Sequence, residues 1–157
     1  MRVVLDTSSL IYLSDFREFD EILTVYSVVK EVKDKITSLK LSGLKLKIVE
    51  PGKESVEKIK EVARETGDLE KLSGTDIEVL AAAKENNCTI ISDDRNIQNV
   101  AEKIGIGYIS VFSKKITKLI KWKKYCKNCE KSFEGSVCPI CGAKLARVPE
   151  KSVEIKD

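Results

Sequence analysis

Two kinds of side chain in this sequence could do chemistry: carboxylates that stand just beyond apolar stretches, and thiols arranged in pairs. Asp6 follows Arg2-Val-Val-Leu5, Asp93 and Asp94 follow the apolar stretch ending at Ile91, Asp76 opens the most apolar run, and Glu31 follows the second stretch. Clustered carboxylates repel one another unless a cation neutralises them, and hard divalent ions such as Mg²⁺ or Mn²⁺ suit all-oxygen sites. Such ions activate water and stabilise charge on a phosphoryl group. The sequence contains no histidine, which excludes a Ser-His-Asp hydrolase, an imidazole-based ribonuclease and a His-ligated catalytic zinc. Carboxylates without imidazole point to metal-dependent phosphodiester hydrolysis. Each acid also has a structural use: Asp6 and Asp93 as helix N-caps, Asp76 at the positive end of its helix, Glu31 as a solvated boundary residue.

The thiols are more specific. Cys126-x2-Cys129-x8-Cys138-x2-Cys141 forms two Cys-x-x-Cys knuckles close enough to wrap one ion, and thiolate sulfur favours Zn²⁺. Pro139 and Gly142 let backbone amides turn towards the sulfurs. A four-sulfur site has no open position, so this zinc is expected to fold a compact module rather than to catalyse. Two disulfides or a redox pair are the alternatives; disulfides need an oxidising compartment, which is not expected here because no signal peptide is read ahead of the Val3-Val4-Leu5 stretch. Cys88, just before a buried strand, reads as core filling.

The elements that must position these groups alternate. Strands are expected at Arg2–Leu5, Ile22–Tyr26, Lys45–Val49, Thr89–Ile91 and Tyr108–Phe112. Helices are expected at Leu10–Leu13, Val28–Leu39, 54–65, from the Thr75-x-x-Glu78 capping box onward, and at Asn96–Ile104. Alternation of this kind gives an α/β fold, a parallel sheet flanked by helices, with ligands at the carboxyl ends of the strands. A helix from Val28 buries Val28, Val32, Ile36 and Leu39; Glu31 then falls at the edge of that stripe, and Asp34 faces water. Of the 157 residues, 34% are charged, and the formal net charge is +3. No apolar run approaches the roughly 20 residues needed to span a bilayer, so a cytoplasmic protein without membrane partners is expected.

Val-Val-Leu-Asp6-Thr-Ser-Ser, Glu31, Ser-Gly-Thr-Asp76 and Ser92-Asp-Asp94 occur in the order of the acidic motifs of PIN-domain ribonucleases, which they resemble. Lys30-Glu31-Val-Lys-Asp-Lys35, Glu65-Thr-Gly-Asp68, Leu72-Ser-Gly-Thr-Asp-Ile-Glu-Val-Leu80 and Asp93-Asp-Arg-Asn-Ile-Gln-Asn-Val100 resemble the Nob-type endonucleases in particular. A PIN domain followed by a four-cysteine ribbon is also that family's layout, and the small size is similar to its archaeal branch. The resemblance implies an endoribonuclease that matures the 3′ end of small-subunit (16S) ribosomal RNA. Its implied partners are precursor rRNA and the small ribosomal subunit or its assembly factors. It further implies that Asp6, Glu31, Asp76 and Asp94 hold Mn²⁺ or Mg²⁺. Asp94 is preferred to Asp93 because the family pattern is Ser or Thr, any residue, then Asp; Asp93 is the second candidate. Products with 5′-phosphate and 3′-hydroxyl ends are expected. The competing readings are a toxin-like PIN ribonuclease acting on other RNA and a non-catalytic RNA-binding assembly factor.

Between the two parts lies a basic stretch. Residues 114–127 hold seven lysines and no acid, interleaved with Trp122 and Tyr125. Lysines neutralise phosphates and aromatics stack on bases, so Lys121, Lys123, Lys124, Trp122 and Tyr125 are candidate RNA contacts. The expected organisation is a PIN nuclease domain at 1–113, a basic linker at 114–125, a zinc ribbon at 126–145 and a flexible tail at 146–157.

Overall fold

Buried apolar strands set the architecture. The computed structural model describes residues 1–33, 45–114 and 116–155. Within these, β1 (Arg2–Leu5), β2 (Glu21–Val25), β3 (Leu46–Val49), β4 (Thr89–Ile91) and β5 (Tyr108–Ile109) form an all-parallel sheet in the order β3-β2-β1-β4-β5. Strands buried on both faces need unbroken aliphatic runs, which Val3-Val4-Leu5 and Ile90-Ile91 supply. Leu5, Leu23, Ile90 and Ile91 are fully buried, each stabilising the fold by about 1.5–3 kcal/mol relative to exposure.

The helices α1 (Thr7–Tyr12), α2 (Tyr26–Lys33), α3 (Lys53–Thr66), α4 (Gly74–Asn86) and α5 (Arg95–Lys103) flank this sheet. The middle of α4, Val79 to Ala83, is buried all round, and the helix lies against β1, β2 and β4 with α3 and α5 as neighbours. The expected helix from Val28 begins at Tyr26, and Val28 and Val32 are buried as its period requires. Asp34, Ile36 and Leu39 lie outside the described residues.

Two expectations fail at the C-terminal end. The stretch read as a linker becomes β6 (Lys118–Cys126), and the stretch read as a flexible tail becomes β8 (Ala146–Glu154); they pair antiparallel, with the short β7 (Lys131–Ser132) on the other side of β6. Ion pairs across the ladder accompany this pairing. Lys118 meets Glu154 and Lys121 meets Glu150, each at 2.9 Å, so the lysine run finds its acids across the ladder rather than along the chain. Pro149 lacks a donor, but β8 is an edge strand and tolerates it. The third difference is at β5, which ends at Ile109 instead of continuing to Phe112.

Cys88 is buried in the main core as expected, its thiol 3.4 Å from the Asn86 carbonyl and pushed up by burial. Among the described residues, no helix is long and apolar enough to cross a membrane.

Candidate active site and cysteine metal site

The sheet reverses its strand order at β1, and β1 and β4 are neighbours there with Leu5 paired to Ile91. A crevice opens beyond the carboxyl ends of such strands. Asp6 and Asp94 both stand at this edge; the Asp6 amide donates to the Ile91 carbonyl at 3.4 Å. Asp6 is the N-cap of α1, its Oδ1 accepting from the Ser9 amide at 2.7 Å. Asp94 is the N-cap of α5, its Oδ1 accepting from the Asn96 amide at 2.6 Å, the Asn96 Nδ2 at 2.9 Å and the Ile97 amide at 3.4 Å. Asp76 sits in the first turn of α4, where its Oδ2 accepts from the Ser73 amide at 2.7 Å and the Ser73 hydroxyl at 2.8 Å.

This last pair corrects the expected capping box. Ser73 and Asp76 form the box, not Thr75 and Glu78. Glu78 instead accepts from the Ser27 hydroxyl at 2.6 Å, and Thr75 turns to Glu31. The three aspartates therefore share a design. Each commits one carboxylate oxygen to the start of a helix, and the other oxygen receives no donor among the described residues. Capping and ligand presentation, which the sequence posed as alternatives, are compatible here.

Glu31 comes from α2, the helix that follows β2. The Thr7 hydroxyl donates to its Oε2 at 2.6 Å and the Thr75 hydroxyl to its Oε1 at 2.7 Å. Thr7 follows Asp6 and Thr75 precedes Asp76, so these two bonds tie Glu31 to both acids. Sequence reasoning assigned Thr75 to capping. The signal for Thr75 was its place beside Asp76, two residues past the Ser73 cap of α4.

The acids feel one another. Burial raises the Asp76 carboxyl above its ordinary value, the Ser73 hydrogen bonds oppose this, and the negative charges of Asp94 and Asp6 add to the rise. A carboxyl raised by folding costs stability once ionised; the cost is absent below the unfolded value and grows as pH rises through the folded one. Asp76→Asn, whose amide oxygen can still accept from Ser73, is expected to raise the thermal midpoint at neutral pH in chelator. The gain should vanish at acid pH, and saturating divalent cation should reverse the ranking. An equal gain at both pH values would show that ionisation of the buried Asp76 carboxyl is not the cause. The carboxylates suit a hard cation chemically.

Asp93 points elsewhere. Its Oδ1 accepts from the amides of Val111 at 3.1 Å, Phe112 at 3.0 Å and Ser113 at 2.8 Å, and from the hydroxyls of Ser110 and Ser113. Burial works against ionisation, but these bonds outweigh it and hold the carboxyl below its usual value. They also explain the short β5, because the amides that would extend it are drawn onto Asp93.

The four cysteines are the only group of three or more among the described residues whose ligand atoms all lie within 4.8 Å of one another. None is in a disulfide. Ligands at about 2.3 Å from a tetrahedral zinc would stand about 3.8 Å apart. The Cys126 and Cys141 sulfurs are 3.5 Å apart and those of Cys129 and Cys138 are 3.8 Å apart, so the cluster fits such an ion. The Cys129 amide lies 3.4 Å from the Cys126 sulfur, and the amides of Ile140 and Cys141 turn in to Cys138, as the Pro and Gly suggested.

The candidate RNA contacts divide. Lys121 pairs with Glu150 and Lys124 with Glu70, while Lys123 has no ion pair among the described residues. Tyr125 is half-buried on β6. Trp122 differs from expectation: the Arg147 guanidinium sits 4.2 Å above its ring, and its backbone abuts Gly67 so closely that a Cβ there would lie 2.6 Å from the Trp122 carbonyl. Gly67 also adopts φ 77°, where an L side chain is strained. Trp122 thus joins the hairpin to the nuclease-like domain and is not an exposed stacking platform.

Comparison with known proteins shows the family of the chain. A family model described as the PIN domain of ribonuclease matches residues 3–85. The chain is 41% identical to Endoribonuclease Nob1 of Archaeoglobus fulgidus over 130 residues, 80% of this chain and 78% of that one. It is 37% identical to Endoribonuclease Nob1 of Pyrococcus abyssi over 159 residues, 96% of each. It is 35% identical over 155 residues to a protein named Ribonuclease VapC1 of Thermoplasma acidophilum, 96% of this chain and 80% of that one.

Proposed function

The chain belongs to the Nob1 family of PIN-domain endoribonucleases, and from that premise we propose that it cuts precursor small-subunit rRNA once, at the mature 3′ end, through the Asp6, Glu31, Asp76 and Asp94 pocket. The observation that supports this reading is the arrangement of the aspartates: each stands at a helix start and leaves one carboxylate oxygen without a donor among the described residues, and the charges of Asp6 and Asp94 act on Asp76. Mn²⁺ or Mg²⁺ held there supplies the activation of water and the stabilisation of the departing 3′ oxygen. The chain's own part is placement. Thr7 and Thr75 fix both oxygens of Glu31, so Glu31 acts as a held anion opposite the three aspartates. The absence of histidine leaves no imidazole to take the 2′-hydroxyl proton, which favours water over the RNA's own hydroxyl as nucleophile.

In this reading the cysteine cluster holds one structural Zn²⁺, and the lysines of β6 contact RNA phosphates. Lys121 and Lys124 are tied only by exposed ion pairs, worth about 0–1 kcal/mol each, so phosphates can displace Glu150 and Glu70. The domain division follows the fold: nuclease domain to residue 113, then a hairpin and ribbon from β6 onward.

The test is cleavage of an RNA spanning the small-subunit 3′ end, with and without Mn²⁺. A single metal-dependent cut at the mature end, leaving 5′-phosphate and 3′-hydroxyl termini, is the expected result. A 2′,3′-cyclic phosphate would overturn the water mechanism. Cutting of many RNAs with no preference for this one would favour the second reading, a general PIN ribonuclease, which the similarity to the protein named Ribonuclease VapC1 keeps in view.

A further inference from the structure

The start of α5 reads Asp94-Arg-Asn-Ile-Gln-Asn99, and its three amide side chains all reach the C-terminal part of the chain. Gln98 accepts from the Ile116 amide at 3.1 Å and donates to the Ser92 carbonyl at 2.9 Å. Asn99 accepts from the Ile120 amide at 2.8 Å and donates to the Ile120 carbonyl at 2.8 Å and to Asp68 at 2.6 Å. It thereby pairs with β6 as a neighbouring strand would. Asn96 makes the third link, and this one ends at the acid pocket. Its Nδ2 donates to Asp94 Oδ1 at 2.9 Å, while its Oδ1 accepts from Arg147 Nη1 at 3.3 Å. Arg147 belongs to β8; its Nη2 pairs with Asp68, which is fully buried, and its guanidinium caps the Trp122 ring.

The chemistry of this chain has only one polarity. A guanidinium can donate and cannot accept; a carboxylate can accept and cannot donate. An amide between the two must present its oxygen to Arg147 and its NH₂ to Asp94. Without Arg147 only the bond to Asp94 orients the amide, and its oxygen loses the donor that fixes the other end. With Arg147 in place, Asp94 Oδ1 is held by the helix start and by Asn96, which leaves Oδ2 for the pocket.

We propose that Arg147, carried by the cysteine-folded hairpin, is a positioning residue for the acid site: it orients Asn96, and Asn96 orients Asp94. The hairpin is then a working part of the divalent-cation site as well as a nucleic-acid surface. The inference rests on the acid-pocket reading above. Outer-shell groups of this kind typically change metal affinity by about 10–100-fold.

The experiment is calorimetric titration of the full chain with Mn²⁺ in the absence of RNA. Wild type, Arg147→Lys, Asn96→Ala and the double variant are compared, with zinc content and thermal midpoint recorded for each. Arg147→Lys keeps a charge for Asp68 but loses the fork that also reaches Asn96. It is expected to weaken Mn²⁺ binding about tenfold. Asn96→Ala, which leaves the Arg147–Asp68 pair intact, should weaken it equally, and the double variant no further, because both act through one contact. If Arg147→Lys fails to fold, Asn96→Ala alone carries the test. Mn²⁺ affinity unchanged in Asn96→Ala, or losses that add in the double variant, would overturn the relay while leaving the pocket intact. A wild type that binds no divalent cation would overturn the pocket and the relay together.

Discussion

Asp94→Asn is expected to lower the single-turnover rate of cleavage by about 100- to 1,000-fold while leaving the fold and RNA binding in place. Asparagine caps a helix as well as aspartate does, and its oxygen can still take the Asn96 and Ile97 amides, so α5 keeps its start. What changes is the other side of the group. The oxygen without a protein donor becomes an NH₂, a donor where a cation needs an acceptor, and the negative charge is lost. Removing that charge also relieves Asp76, so stability in chelator should hold or rise. Asp93→Asn is the sharp control. Its own carboxylate gathers the amides of Val111 to Ser113, and the substitution should cost about 1 kcal/mol of stability with little change in the rate. Single-turnover rates and thermal melts of the two variants, taken side by side, decide it. Activity lost in Asp93→Asn and kept in Asp94→Asn would exchange their roles.

That comparison shows what a sequence can and cannot reveal about neighbouring acids. Composition treats Asp93 and Asp94 alike, and only the resemblance to a family pattern preferred the second. The structure separates them by direction: at the end of β4 one side chain points along α5 and the other towards the loop after β5. Direction at a strand end depends on which amides the rest of the chain leaves unpaired, and no local pattern carries that. The parallel sheet itself was readable because strands buried on both faces must be continuously apolar, and Val3-Val4-Leu5 and Ile90-Ile91 are. Glu31 was placed at the edge of the buried stripe of α2 by helical geometry. That Thr7 and Thr75 would hold it was beyond reach, since the three residues come from separate elements.

The C-terminal hairpin was missed for a related reason. Lysine runs and a charged tail look solvated when each is read alone. β6 and β8 make sense only when set beside each other, where Lys118 meets Glu154 and Lys121 meets Glu150, and where Trp122 and Arg147 stack. The amides of α5 complete the joint by pairing with backbone groups of residues 116 and 120. Interactions between segments separated by about 30 residues leave no periodicity, so the acid-free lysine run proved to be one of the longest strands.

Cys138→Ser, or removal of the bound metal by a strong chelator, is expected to unfold residues 126–145 while the parallel sheet survives. The apolar centre of the ribbon is only Cys126, Cys138 and Leu145, with Phe133 and Ala143 against them. So few groups cannot offset the conformational entropy of ordering the loops around them. A zinc ion on four thiolates can, since its apparent binding free energy in small folds is about 10–16 kcal/mol at neutral pH. The nuclease-like core is a separate cluster built on β1 to β5, so its own stability does not depend on the sulfurs. The purified wild type should contain one zinc per chain by atomic absorption, Cys138→Ser much less, and Cys88→Ser the full amount, because Cys88 lies in the other core. Dispersed amide resonances of the ribbon should collapse in Cys138→Ser and those of the sheet should remain. Because β8 carries Arg147, the same variant should also weaken Mn²⁺ binding at the distant acids, a loss that a purely local ribbon would not produce. A wild type with no zinc, whose ribbon melts on adding dithiothreitol, would show instead that disulfides hold it.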